Sequence, residues 1–120
     1  MKRVLVADDK ASSRELVRTV LERCGYEVIE ASDGEEAVDL ARAGRPHLIL
    51  LDLHMPKLDG FGAIGQLRSE AAFAATPVVA LTASAMDVDR EQALAAGFSG
   101  YITKPIRLAT LRSEVERLLG

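Results

Sequence analysis

The sequence predicts an α/β fold, a doubly wound parallel sheet of five strands joined by right-handed crossovers, on three observations. Five apolar segments of strand length recur along the chain, and stretches with helical spacing of apolar residues separate them. Three of the five are continuously apolar instead of alternating, as strands must be when helices cover both faces of their sheet. At 120 residues the chain is one domain, residues 1–120, long enough to bury roughly two thirds of the surface that its unfolded form exposes.

The first strand is the run Val4 to Ala7. Leu16, Val17, Val20, Leu21 and Cys24 then share one helical face, opened by Ser12-x-x-Glu15 as a capping box and closed by Gly25. Val28, Ile29 and Ala31 make the second strand, which Glu27 and Glu30 interrupt, so it belongs at an edge. Asp33-x-x-Glu36 starts helix two, with Ala37, Leu40 and Ala41 facing inward and Gly44 ahead of Pro46 as the stop. His47 leads into the third strand, Leu48 to Leu51, and Met55-Pro56 reads as a turn. Asp59-Gly60 begins helix three, whose inner face is Phe61, Ile64, Leu67 and Ala71. Gly62 and Gly65 each cost that helix about 1 kcal/mol relative to alanine. Val78 to Leu81 is the fourth strand, Asp87 to Ala96 a helix poor in large apolar residues, and Tyr101-Ile102 the fifth strand. Leu108, Leu111, Val115, Leu118 and Leu119 mark the last helix.

Composition excludes several classes of function. Fifteen basic against eighteen acidic residues leave a formal charge of -3, not the basic surface of a protein that binds nucleic acid directly. The longest apolar run, Ala71 to Ala75, is far short of the roughly 18 residues of a membrane span, and the N-terminus enters a strand without a signal-peptide core. A soluble, cytoplasmic protein is expected. Cys24 is the sole cysteine, so it has no internal disulfide partner, and its place on the inner face of helix one predicts a core side chain.

In a parallel sheet all strands end on one side, and ligands bind in the crevice there. The first strand runs into Asp8-Asp9, the third into Asp52, the fourth into Thr82, and the fifth into Thr103-Lys104-Pro105. Taken singly, each has an ordinary structural reading: turn residues for Asp8 and Asp9, a strand position for Thr82, a turn for Lys104. Asp52 is harder to account for, because a carboxylate between Leu51 and Leu53 is partly buried and needs a cation or a proton. Three clustered carboxylates repel one another until a divalent cation such as magnesium neutralises them. A carboxylate is also a nucleophile towards phosphorus. The group therefore suits aspartyl phosphate chemistry, with Asp52 as phosphoacceptor, Asp8 and Asp9 as the metal-holding pair, and Lys104 and Thr82 as phosphoryl ligands.

These pieces resemble the receiver domain of bacterial two-component response regulators, in particular the chemotaxis-type single-domain regulator. The likeness lies in Val4-Leu5-Val6-Ala7-Asp8-Asp9, Asp52-Leu53-His54-Met55-Pro56-Lys57-Leu58-Asp59-Gly60, Ala80-Leu81-Thr82-Ala83, Ala96-Gly97 and Gly100-Tyr101-Ile102-Thr103-Lys104-Pro105. The resemblance implies a flavodoxin-like (βα)5 fold with strand order 2-1-3-4-5. It implies phosphorylation of Asp52 by a histidine kinase or a histidine phosphotransfer protein. Mg2+, or Mn2+, would be held by Asp9, Asp52 and the backbone carbonyl of His54, with Asp8 acting through water. Thr82 and Tyr101 would be the switch pair and Lys104-Pro105 a cis peptide. The readout surface would be helix four, strand five and helix five, for a downstream protein that the sequence does not name. His54 and Ser84 occupy positions that tune phosphoryl lifetime in the family, and the His54 ring is expected to face solvent. The helix four to helix five surface lacks the charged set of receivers that dimerise to drive winged-helix DNA-binding domains, so a monomer or weak dimer is expected. Met1 and the lack of an output domain lean towards a free-standing regulator, the alternative being a receiver cut from a larger kinase.

Three other readings share part of this pattern. An aspartyl-nucleophile phosphatase would place a second carboxylate where His54 stands and would carry a cap domain. A flavin carrier would need a Ser/Thr/Gly-rich phosphate loop where Asp8-Asp9-Lys10 stands, and aromatic platforms, yet tryptophan is absent. A pseudo-receiver that binds partners without phosphorylation would have no use for the complete acidic, hydroxyl and lysine set.

Overall fold

In the computed structural model, which describes residues 1–83 and 87–119 with the side chains of residues 87–89 left aside, strand and helix alternate from end to end. The elements are β1 (Arg3–Ala7), α1 (Ala11–Arg23), β2 (Glu27–Ala31), α2 (Gly34–Gly44), β3 (Leu48–Asp52), α3 (Gly60–Arg68), β4 (Val78–Thr82), α4 (Asp87–Ala96), β5 (Gly100–Thr103) and α5 (Leu108–Leu119). The five strands are all parallel, in the order β2-β1-β3-β4-β5. The glutamate-bearing β2 is at an edge, as expected from Glu27 and Glu30.

Each central strand divides its apolar residues between two cores, the physical basis of their unbroken hydrophobic runs. Leu5, Ala7, Ile49, Leu51, Val78 and Ala80 pack with Ala37, Val38 and Ala41 of α2 and Ala63, Ile64 and Leu67 of α3. Val4, Val6, Leu48, Leu50, Val79, Leu81 and Ile102 meet Val17 and Leu21 of α1 and Leu111 and Val115 of α5. A fully buried leucine contributes about 1.5–3 kcal/mol, so β3 and β4, each buried at all five positions, are firmly anchored beneath the strand ends. In α4, by contrast, Ala93 is the only buried side chain among the described residues Arg90–Ala96.

Several local expectations need correction. Helix α1 starts at Ala11 with Lys10 at its N-cap and no side-chain cap, so Ser12 lies inside the first turn. The reason is Asp8, whose Oδ1 accepts from Lys10 N at 2.9 Å and turns the chain into the helix before Ser12 is reached. Leu16 is 43% exposed, and Cys24 is exposed at the C-cap, because the inner face of α1 narrows to Val17 and Leu21. Helix α3 ends at Arg68, and Ala71 falls in the 3-10 turn Ala71–Phe73, which buries Phe73 in its place. The expected helix starts at Asp33 and Asp59 do appear: Asp33 accepts from Glu36 N and Asp59 from Gly62 N, each at 2.8 Å.

Arg68 is a tie that the pattern of apolar residues did not reveal. Its guanidinium donates to the carbonyls of Gly97, Phe73 and Thr76 at 2.7–3.1 Å, joining the end of α3 to the turn after α4. Burial alone lowers its pKa from the ordinary value. Arg68→Met keeps the apolar stem but leaves three carbonyls without their donor, and should destabilise the fold by about 2 kcal/mol, read as a lower urea midpoint with an unchanged m-value.

Candidate functional site

The site sits where β1, β3, β4 and β5 end on the same side of the sheet. Asp8 follows β1 directly and is fully buried, while Asp9 beside it is exposed. Asp52 is the last residue of β3, 4% exposed, and Thr82 the last of β4, 3% exposed. Lys104 follows β5, and its main-chain N–H donates to the Thr82 carbonyl at 2.6 Å, extending the strand pairing by one step. The Lys104–Pro105 peptide is cis.

The Lys104 ammonium bridges the two buried carboxylates, with Nζ 2.8 Å from Asp8 Oδ2 and 2.9 Å from Asp52 Oδ2. The remaining Asp52 oxygen, Oδ1, accepts from His54 N at 3.0 Å, which orders the first turn of the loop after β3. Burial pushes the Asp52 carboxyl above its ordinary pKa and the Asp8 charge acts in the same direction, against the His54 N–H and Lys104. For Lys104 burial works to lower the pKa, but the Asp8 and Asp52 carboxylates outweigh it and the ammonium is held above its usual value.

Asp8, Asp9 and Asp52 each offer a carboxylate oxygen within 4.8 Å of the other two. Three carboxylates and one ammonium leave two negative charges when all are ionised, the charge of one divalent cation. Asp8 Oδ2 is buried and faces a single cationic group, the Lys104 ammonium at 2.8 Å. A buried carboxylate oxygen in an all-oxygen set fits a hard cation such as magnesium.

The loop that carries His54 is held from two sides. Leu58 packs on Gly34 at the start of α2, where an added Cβ would overlap the Leu58 carbonyl. Lys57, with φ 66°, faces Asp33 at 3.6 Å. The His54 ring is exposed, in line with the sequence expectation. Tyr101 on β5 is half-buried, and the Arg90 guanidinium lies over its ring, 5.3 Å from the centroid. Ser84 lies outside the described residues.

Sequence reasoning missed Arg14. Its Nη1 donates to the Asp8 main-chain carbonyl at 2.6 Å, and its Nε meets Glu30 Oε1 at 3.3 Å. Arginine six positions beyond an aspartate carries no sequence signal of this contact, which depends on β2 lying alongside α1.

Comparison with known proteins gives a consistent picture. The pattern of the response regulator receiver domain matches residues 4–116. The chain is 40% identical over 118 residues to the probable transcriptional regulator ycf27 of Cyanophora paradoxa, covering 98% of this chain but 48% of that protein. It thus spans about half the length of the first curated relatives it matches. It is 36% identical to the polar-differentiation response regulator DivK of Brucella anthropi, with 99% of this chain and 97% of that one covered. Among solved structures, the chemotaxis response regulator CheY4 of Vibrio cholerae superposes with a TM-score of 0.94 at 33% identity, over 98% of both chains. The receiver domain of sensor histidine kinase PA1611 from Pseudomonas aeruginosa gives 0.91 at 34% identity, over 99% of this chain and 98% of that one, and carries a magnesium ion in its active-site cleft. Among the described residues no helix is long and apolar enough to cross a membrane.

Proposed function

We propose that this chain, which belongs to the response regulator receiver domain family of two-component signalling, is a switch thrown by phosphorylation of Asp52. The observation that carries the reading is the Lys104 ammonium set between Asp8 and Asp52 within a cluster of three carboxylates. The donor is the phosphohistidine of a histidine kinase or a histidine phosphotransfer protein. Its P–N bond breaks as an Asp52 carboxylate oxygen bonds to phosphorus, and the released imidazole keeps its nitrogen lone pair. Magnesium, or manganese, would be held by Asp9, Asp52 and the His54 carbonyl, with Asp8 through water, and would supply charge neutralisation to the transferring oxygens.

The chain's own residues do the rest. Burial removes water from Asp52, and the His54 N–H keeps the carboxylate turned outward from β3. Lys104 exchanges its contact with Asp52 for one with the incoming phosphoryl oxygens, so the charge developing there meets an ammonium already in place. Thr82, at the end of the neighbouring strand, supplies a hydroxyl to the same oxygens, and Tyr101 turns inward as Thr82 moves. The thinly anchored α4, with Ala93 its single buried side chain among the described residues Arg90–Ala96, is the element free to follow. The population shift changes the α4–β5–α5 surface offered to a downstream protein. The protein works as a signalling module over residues 1–120, catalysing only its own phosphorylation and dephosphorylation. It is read as a cytoplasmic monomer or weak dimer without direct contacts to nucleic acid or membrane.

Intact mass after incubation with a small acyl phosphate tests this reading. One phosphoryl group should be gained in the presence of magnesium and none in its absence or in Asp52→Asn. A chain that binds magnesium yet gains no mass would instead be a pseudo-receiver.

A further inference from the structure

Arg14 reaches from the first turn of α1 across to β2 and to the site, with a side chain only 18% exposed. Its Nη1 donates to the Asp8 carbonyl at 2.6 Å, while Glu30 Oε1 lies 3.3 Å from its Nε. The other Glu30 oxygen is occupied by Arg18 Nη1 at 2.8 Å, and Arg18 in turn meets Glu22 at 3.3 Å. Glu30 is therefore fixed by two arginines, and it fixes Arg14 in return.

The Asp8 carbonyl belongs to the planar peptide that links Asp8 to Asp9. Its other restraints act on Asp8 alone: Asp8 N donates to the Ala31 carbonyl at 3.1 Å, and Asp8 Oδ1 accepts from Lys10 N. Asp9 is exposed, and none of the described hydrogen bonds or ion pairs involves its side chain. The direction in which the Asp9 carboxylate leaves the chain is thus set by the plane of that peptide, and Arg14 holds the plane.

We propose that Arg14, anchored by Glu30, is a positioning residue that aims Asp9 at the metal position and so governs divalent-cation affinity without touching the cation. This rests on the reading that Asp8, Asp9 and Asp52 hold magnesium. The sign of the effect separates it from simple electrostatics. By Coulomb's law, removing a positive charge beside three carboxylates strengthens cation binding. Losing the orientation of a ligand weakens it, commonly by tenfold or more when the partner behind the ligand is removed.

The test is calorimetric titration of the folded parent chain, Arg14→Ala, Arg14→Lys, Glu30→Gln and Arg18→Ala with magnesium chloride. Arg14→Ala and Arg14→Lys should bind about tenfold more weakly, the lysine variant despite its retained charge. Glu30→Gln, which replaces the ion pair anchoring Arg14 with a weaker neutral hydrogen bond and guards against a variant that fails to fold, should also bind more weakly. Arg18→Ala, which loses a contact to the other Glu30 oxygen but none to Asp8, should lose much less affinity than the Arg14 variants. Phosphorylation by a small acyl phosphate should be slower in the Arg14 variants at low magnesium and regain the parent rate at saturating magnesium, a recovery that general structural damage would not give. Unchanged or tighter binding in the Arg14 variants overturns the proposal, as does an equal loss in Arg18→Ala. A parent that binds no magnesium removes the metal reading and this inference with it, whereas a parent that binds with unaffected variants removes this inference alone.

Discussion

Gly60→Ala should be a severely damaging single-methyl change at the site, lowering stability by about 3 kcal/mol and the unfolding midpoint by about 10 °C. A Cβ at Gly60 would overlap the Asp52 carbonyl oxygen and stand 2.7 Å from Leu53 Cα. Both are backbone atoms of a fully buried strand and its continuation, so neither can swing aside as a side-chain tip would. Gly60 N also donates to the Leu53 carbonyl at 3.0 Å, drawing the start of α3 tightly against the strand end. The added methyl must either break that contact or push Asp52 away from Lys104. Magnesium binding and phosphorylation should therefore fall together with stability. Gly34→Ala attacks the same loop from the α2 side, through the Leu58 carbonyl. Differential scanning calorimetry of both variants would check the expectation, and a midpoint within about 2 °C of the parent would show that the loop can move.

Asp52→Asn should shift stability the other way. Without a cation, Asp52 is a buried carboxylate beside the buried Asp8, and burial has already raised its pKa from the ordinary value of 3.8. A group whose folded pKa exceeds its unfolded one stabilises the fold when protonated and loses that contribution as pH rises through the folded pKa. At pH 7 the ionised Asp52 is therefore a cost, and asparagine of nearly the same shape removes it. Lys104 keeps its partner in Asp8, 2.8 Å away. We expect a gain of about 1–2 kcal/mol, roughly 4–8 °C in midpoint, in metal-free buffer. The advantage should narrow as pH falls through the raised Asp52 pKa and vanish below about 3.8, where the parent's carboxyl is protonated in both states. Added magnesium should raise the midpoint of the parent more than that of Asp52→Asn. Paired thermal melts across pH, with and without magnesium, read both effects. A lower midpoint for Asp52→Asn at pH 7 would mean that Lys104 and the His54 N–H already outweigh the burial of the charge.

The same balance explains why some of the molecule was legible in the residue order and some was not. The five strands, the two aspartate-capped helices and the edge position of β2 follow from apolar periodicity and from glutamates that cannot be buried on both sides. These are one-dimensional properties, because a strand's or helix's repeat is written in its own sequence. The candidate residues Asp8, Asp9, Asp52, Thr82 and Lys104 were also readable, since parallel strands deliver their ends to one side whatever the details of packing.

Other features were decided only by tertiary contact. Asp8 turned the chain early and took the start of α1 from Ser12. Neighbouring packing left Cys24 exposed and gave the place of Ala71 in the core to Phe73. The grip of Arg68 on three carbonyls and of Arg14 on Asp8 joins residues from different elements. The sequence alone determined which elements form and which side of the sheet collects the charged residues, because hydrophobic period and strand direction are local. Tertiary structure alone decided how tightly those charges are held and aimed, because desolvation, close backbone approach and long side-chain ties exist only once the layers have packed.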